Sequence, residues 1–300
     1  MIYDAIIVGG GPAGLTCAIF LGRYRRPVLV IDSGRPRNYA TTGLHGFLGH
    51  HSIAPAELLR RGREEAESVG VELRDGKVTK IGKVGDAFEV AFDGETLRAR
   101  RIVLAYGVRD TIPDIEGIET YYGKTVHHCP DCDGYESRDQ RIGVIGWSVG
   151  SVGLALKLLQ WSDDVVLFTH GHEREWDDEE HSKLLAERID VKDEKIVALD
   201  GHDANVTAAV LSTGERVPVG RLFFNIHVER STTLAEDLGC EVDPEKPNVI
   251  VDEHRQTTVE GVYAVGDLAA GSQLAITAAA DGAIAAIAIN KSLLPPSRQV

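Results

Sequence analysis

Residues 5–14 read Ala-Ile-Ile-Val-Gly-Gly-Gly-Pro-Ala-Gly, and no other stretch narrows the possible folds as far. The apolar run 5–8, closed by Gly9, predicts a buried parallel strand. Residues 12–21 predict a helix, and 28–31, closed by Asp32, predict the next strand. Within this β-α-β unit each glycine has its own task. Gly9 makes the tight turn, Gly11 lets backbone approach a pyrophosphate, and Gly14 brings helix against strand. The phosphates then lie on the helix N-terminus, where N–H groups and the dipole favour anions. Asp32 follows Gly14 by 18 residues, the spacing at which a carboxylate meets adenosine ribose hydroxyls. A glycine triplet alone is a weak sign. After a strand, before a helix and with a spaced acid, it specifies a dinucleotide site.

The pattern returns in damaged form. Residues 141–145 predict a strand, 151–159 a helix and 165–168 a strand. Aligned strand to strand, Gly146 falls on Gly9, Ser148 on Gly11, Ser151 on Gly14 and Thr169 on Asp32. The second unit keeps the architecture and loses two glycines and the acid. Short alternating runs at 88–92 and 101–104 predict antiparallel strands inserted in the first domain. Turn residues at 113–124 suggest a crossing into a second domain, and 244–248 a return. The Pro-rich end, 295–298, reads as frayed.

A length of 300 residues suits one or two domains. The 32 basic and 46 acidic residues give a net charge of −14, which argues against a nucleic-acid partner. No apolar run approaches the ~20 residues of a membrane helix. No basic segment followed by a cleavable apolar stretch opens the chain, so a cytoplasmic protein is expected.

Four cysteines are too few here for a disulfide scaffold. Cys17 and Cys240 sit in contexts that suit inert buried thiols. Cys129 and Cys132 differ, in the run His127-His128-Cys129-Pro130-Asp131-Cys132-Asp133-Gly134. In a reducing compartment such a pair is catalytic or binds metal. Zinc on His127, His128, Cys129 and Cys132 lacks the usual second half-site, so no metal is expected. At a helix start, both sulfurs can share one disulfide, and the N-terminus favours a thiolate. Asp131 between them should oppose thiolate formation by like charge.

With these motifs the chain resembles the low-molecular-weight thioredoxin reductase family of flavoproteins. The likeness also runs through Leu104-Ala105-Tyr106-Gly107, Gly261-Val262-Tyr263-Ala264-Val265-Gly266-Asp267 and Ala275-Ile276-Thr277. It implies an α/β fold of two Rossmann-type domains, each in three ββα layers. The FAD domain would be discontinuous, 1–113 with 246–300, and the second domain would span 117–242. FAD would be held by Gly9, Gly11, Pro12, Ala13, Gly14, Asp32, Ala105, Gly107, Gly266, Asp267, Ala275 and Ile276. By the same resemblance Cys132 faces the flavin, Cys129 exchanges with substrate, and Asp133 is the acid/base. A homodimer is implied, with thioredoxin or a small-molecule disulfide or dithiol as partner. Arg35-Pro36-Arg37-Asn38, His45-Gly46-Phe47-Leu48 and His128-Cys129-Pro130 resemble a side branch, the dithiol oxidases, which pass electrons to oxygen. That likeness also sets His45 near the flavin.

The second unit bears on the electron source. Ser148 adds a Cβ where a pyrophosphate needs bare backbone, and Thr169 lacks a carboxylate for the ribose. Between 173 and 180 one arginine faces six carboxylates, which repel a 2′-phosphate. Alternatively, that run is a helix start whose acids complement the dipole. Weak or absent NADPH use is therefore expected, leaving NAD(P)H a doubtful cofactor. Oxygen and ferredoxin become candidate electron partners, with Arg23, Arg25, Arg26, Arg35 and Arg37 as a ferredoxin docking patch. The rival readings are an ordinary NADPH-dependent thioredoxin reductase, an oxygen-dependent dithiol oxidase and a flavin-binding redox sensor.

Overall fold

The computed structural model describes residues 2–298, and the chain divides into two compact units. The first comprises Met1–Tyr39, Phe47–Arg109 and Val228–Val300; the second comprises Ala40–Gly46 and Asp110–His227.

The first unit opens with β1 (Tyr3–Val8), α1 (Pro12–Arg23), β2 (Val28–Asp32), α2 (Pro55–Ser68) and β3 (Glu72–Asp75). Pro12 begins α1 because its fixed φ suits a first helical turn, where an N–H has no helical partner. β3, β2 and β1 lie side by side and parallel. Next come β4 (Val78–Val84), β5 (Ala87–Phe92) and β6 (Glu95–Leu104). The two halves of β6 belong to different ladders. Its first half runs antiparallel to β5, from Glu95 opposite Phe92 to Ala99 opposite Phe88. Its second half runs parallel to β1, up to Leu104 opposite Val8. The run 101–104 is therefore a central parallel strand, not part of an antiparallel insert. Ile102, Val103 and Leu104 are all buried, as a strand covered on both faces requires. β7 (Val108–Asp110) follows.

The second unit contains α3 (Ile118–Tyr121), β8 (Val126–His127), α4 (Pro130–Asp133), β9 (Ile142–Ile145), α5 (Val149–Leu158), β10 (Val165–Phe168), α6 (Asp178–Ala186) and β11 (Asp190–Lys192). Then come β12 (Ile196–His202), β13 (Asn205–Leu211), β14 (Arg216–Pro218) and β15 (Arg221–Phe224). The order β11-β10-β9-β15-β8 is parallel throughout, and β12-β13-β14 form an antiparallel sheet. The chain ends with β16 (Val228–Arg230), α7 (Leu234–Asp237), β17 (Val262–Ala264) and α8 (Ala275–Ser292). β17 extends the first sheet beside β6, and β16 pairs with β7.

Alternation along each strand explains the layering. Ile6 and Val8 join Val78, Ile81, Phe88 and Val90 on one face. Ala5 and Ile7 join Cys17, Leu21, Ala285 and Ile289 of α1 and α8 on the other. The second unit repeats this: Ile145 and Phe168 meet Ile196 and Ala209, while Val144 and Leu167 meet Val152 and Leu158. Two Rossmann-like three-layer units result.

Their borders differ from the sequence reading. The first crossing is at Arg109, so 113–124 lies wholly in the second unit, and the return comes at Val228 rather than 244–248. Leu234 and Ala235 are buried in the first unit's core, which places that stretch there. Ala40–Gly46 belongs to the second unit. The end is a short 3-10 turn at Pro296–Arg298; positions 1, 299 and 300 of the proposed spans lie outside the described residues. Among the described residues no helix is long and apolar enough to cross a membrane.

Candidate active site

In the first unit, the turn from β1 into α1 is built by close approach. A Cβ on Gly14 would stand 2.0 Å from the Gly9 carbonyl oxygen and 3.3 Å from the Ala105 Cβ. Gly11 is the reverse case: apart from its neighbours in the chain, no heavy atom lies within 4 Å of where its Cβ would be. It precedes Pro12 and Ala13 at the start of α1, where no side chain caps the helix. Backbone donors beside open space suit a pyrophosphate. Asp32 ends β2, with Arg63 at 3.5 Å. Ala105 follows β6, and its N–H donates to the Val8 carbonyl. Gly107 follows at φ +64°.

Near β17 and α8 of the same unit, Gly266 donates its N–H to Asp281 at 3.3 Å, and Asp281 also pairs with Arg255 at 2.7 Å. Asp267 is held by Arg37 at 2.9 Å, and Arg37 also donates to Gln273. Ala275 and Ile276 open α8, and Ile276 is 36% exposed. Open backbone at the start of α1, an acid at the end of β2, and small or apolar residues beyond are chemically able to hold an FAD molecule. The sequence did not reveal the role of Arg37. It grips Asp267, and Arg26 likewise pairs with Asp4.

In the second unit, β8 leads directly into the cysteines. Cys129 caps α4, and Pro130 opens that single turn. Cys129 and Cys132 are disulfide-bonded with Cα atoms 5.3 Å apart. The Cys132 N–H donates to the Cys129 sulfur at 3.1 Å, a contact that favours a thiolate there once the bond opens. One turn contributes little macrodipole, so this local donor matters more than the expected helix field. Asp131 is neutralised by Lys157 of α5 at 2.7 Å. That exposed ion pair offsets part of the like-charge opposition expected from Asp131.

Gly134 is required by packing. Its Cβ would lie 2.5 Å from the Pro130 carbonyl oxygen and 2.7 Å from the Trp161 ring. Gly134→Ala is expected to lower stability by about 1–3 kcal/mol, the usual cost of overpacking. A melting curve and the rate at which the Cys pair reacts with a dithiol will both register it; an unchanged melt contradicts the packing argument.

Asp133, beside Cys132, sits 3.4 Å from the Nδ1 of His127. His127 is only 6% exposed and packs against Phe223, with ring centroids 5.4 Å apart. Burial pulls the Arg221 guanidinium below its usual range, and the Asp133 carboxylate pulls it back up. His128 lies 3.7 Å from Asp110 and 3.4 Å from the Tyr122 hydroxyl. Neither histidine is a plain surface residue, and no sequence signal marked their partners. His45 faces Glu136 at 3.6 Å. Cys17 and Cys240 are buried, and burial pushes both thiols up, so they stay protonated and inert.

The second glycine-like turn is tied to neighbouring loops of its own unit. Ser148 forms a β-bridge with Glu175, and the Glu175 N–H donates to the Trp147 carbonyl at 2.7 Å. The Trp147 and His172 rings stack at 3.7 Å. Thr169 is fully buried and donates to the Asp193 carbonyl. Arg174 is committed to Asp193 at 2.6 Å and holds that carboxyl below the usual range. The acidic run is the start of α6, with Asp177 and Glu180 forming a capping box. Its acids therefore complement a helix dipole, as the alternative reading had it.

Residues 3–282 match the family model for pyridine nucleotide-disulphide oxidoreductases. The chain belongs to that family. It is 33% identical over 283 residues to the thioredoxin reductase tcpT of Claviceps purpurea, covering 89% of this chain and 86% of that one. It is 30% identical over 297 residues to a probable thioredoxin reductase of Arthroderma benhamiae, covering 88% and 74%. Among solved structures it superposes on HlmI with TM-score 0.92 and 38% identity, covering 97% of this chain and 92% of that one. The putative thioredoxin reductase TrxB of Bacillus anthracis gives TM-score 0.90 at 30% identity, covering 97% and 98%. The protein is thus a thioredoxin-reductase-like, flavin-dependent disulfide oxidoreductase.

Proposed function

We propose that this enzyme moves electrons between FAD, the Cys129–Cys132 pair and an external disulfide or dithiol, without efficient use of NADPH. The observation that carries the reading is the bonded cysteine pair, with the Cys132 amide on the Cys129 sulfur and a carboxyl at the next residue. Gly9, Gly11, Pro12, Ala13, Gly14 and Asp32 would hold the FAD adenosine and phosphates; Asp267 would meet the ribityl chain. Ala105, Gly107, Gly266, Ala275 and Ile276 would surround the remainder. Bound FAD supplies two-electron exchange with the dithiol.

The protein's own residues do the sulfur chemistry. In the reducing direction, the Cys129 thiolate attacks one sulfur of the external disulfide, whose S–S bond breaks. The departing thiolate takes a proton from Asp133. Cys132 then attacks the Cys129 sulfur, its own thiol proton passes to the second departing sulfur, and the second thiol is released. The substrate gains two electrons and two protons, and the Cys pair returns to a disulfide. Reversal closes an external dithiol, in which case Asp133 receives the proton. Thioredoxin or a small-molecule disulfide or dithiol fits this chemistry, in a cytoplasmic homodimer.

An oxygen-free titration with dithiothreitol tests the reading. Wild-type flavin absorbance is expected to bleach, and Cys129→Ser and Cys132→Ser are expected to fall to background. Bleaching that survives either change defeats the proposal. Admitting air then separates the rivals. Sustained peroxide production with a dithiol marks an oxidase, transfer to thioredoxin disulfide without peroxide marks a reductase, and one event without turnover marks a sensor.

A further inference from the structure

We propose that His127 is a positioning residue that orients the Asp133 carboxyl and resupplies its proton during sulfur exchange. The inference rests on the function proposed above. It starts from an imidazole that the fold has gone out of its way to bury. His127 is the last residue of β8, which pairs with β15 through Phe223 opposite His127. Val126 faces one core layer, so alternation turns His127 toward the other, onto the Phe223 ring. A polar ring buried this deeply calls for a polar or charged neighbour. The carboxyl of Asp133 lies 3.4 Å from the His127 Nδ1, and its side chain is 16% exposed.

Sequence position makes the pairing informative. His127 comes two residues before Cys129, and Asp133 comes directly after Cys132. The two ends of the dithiol turn are thus brought together. The charged groups around Asp133 come from three elements. His127 approaches from β8, and the Arg221 guanidinium of β15 lies within electrostatic reach. From α5, Lys157 is spent on Asp131. Arg221 and Lys157 are donors only, so among these the His127 imidazole is the side chain with both a donor and an acceptor nitrogen.

The proton balance leaves a place for such a group. Each external disulfide reduced takes up two protons, one from Asp133 and one from the Cys132 thiol, so a turnover leaves Asp133 one proton short. The His127 ring, 3.4 Å from that carboxyl, passes a proton from solvent back to it. When a dithiol is closed, the same steps run backwards. No electron passes through His127, and no additional reactant is required.

The test uses the FAD-loaded enzyme with its Cys pair pre-reduced by dithiothreitol and freed of excess. It is then mixed with 5,5′-dithiobis(2-nitrobenzoic acid) in a stopped-flow instrument across a pH series. This readout follows thiol–disulfide exchange directly. His127→Gln can still hydrogen-bond but cannot titrate; His127→Phe can do neither. Asp133→Asn removes the acid. General acid–base groups contribute about 10²–10⁴-fold, and a group acting through one contributes less, so His127→Phe is expected to slow exchange about tenfold. His127→Gln is expected to recover part of that rate but to lack one limb of the wild-type pH profile. In the Asp133→Asn background, either His127 change is expected to add less than about twofold, because both act on one function.

A His127→Gln profile that overlays wild type overturns the inference. So does an equal His127 effect with Asp133 already replaced. If His127→Phe fails to fold, judged by its melt, His127→Gln and Asp133→Asn still decide. If the wild-type pair does not exchange at all, the proposed function fails; if it exchanges irrespective of His127, only this inference does.

Discussion

Oxygen-free enzyme mixed with NADPH is expected to keep its oxidised flavin spectrum, while dithiothreitol bleaches it. The reason is specific to the second unit. A nucleotide pyrophosphate needs bare backbone at the helix start. Here Ser148 carries a side chain whose oxygen lies 3.3 Å from that of Ser151, and its backbone is bridged to Glu175. The Trp147–His172 stack lies on the same loop. The single arginine of the following run is taken by Asp193. Losing two charge-assisted hydrogen bonds, at about 1.5 kcal/mol each or more, weakens NADPH binding by at least about a hundredfold. Stopped-flow absorbance checks this, and rapid bleaching at micromolar NADPH overturns it. A thermal-shift series with NADP⁺ gives a second reading without turnover. No shift is expected, because a ligand that does not bind the native state cannot stabilise it.

Gly14→Ala is expected to yield protein that retains no FAD and melts well below wild type. The added Cβ would stand 2.0 Å from the Gly9 carbonyl oxygen, so α1 must move off β1. Overpacking against backbone sits at or above the upper end of the usual 1–3 kcal/mol, because neither partner can rotate away. Gly11→Ala separates fold from cofactor. With nothing but its chain neighbours within 4 Å of that Cβ, the apoprotein is expected to melt like wild-type apoprotein. Its FAD affinity should still drop, since the methyl group enters the path of the pyrophosphate. The flavin-to-protein absorbance ratio after gel filtration, with a melt of each apoprotein, checks both variants. Normal FAD content in Gly14→Ala removes the close-approach argument.

Much of the fold was readable from local patterns. The strand at 5–8, the helix from Pro12 and the strand before Asp32 all form as their apolar runs and glycines indicate. The second unit's elements fall within two residues of the expected starts and ends. The run 101–104 was misassigned because alternation and continuous burial look alike over four residues. Only its neighbour β1 makes it parallel. The borders near 109 and 228 were missed for a related reason. Turn residues mark where a chain bends, whereas membership of a unit depends on which core Leu234 or Ala40 enters.

The candidate site divides in the same way. Glycine spacing, the Cys-x-x-Cys run and the acid after it can be read from the chain. They depend on backbone conformation and covalent reach over a few residues, which sequence encodes locally. The pairing of Lys157 with Asp131, of Arg37 with Asp267 and of His127 with Asp133 cannot be read that way. Arg37 and Asp267 are 230 residues apart along the chain, yet their side-chain atoms are 2.9 Å apart. Charge sign and reach alone permit many partners for each of these groups. Sheet order, strand facing and helix packing choose one, and thereby fix which charges stand beside the sulfurs and which are spent elsewhere.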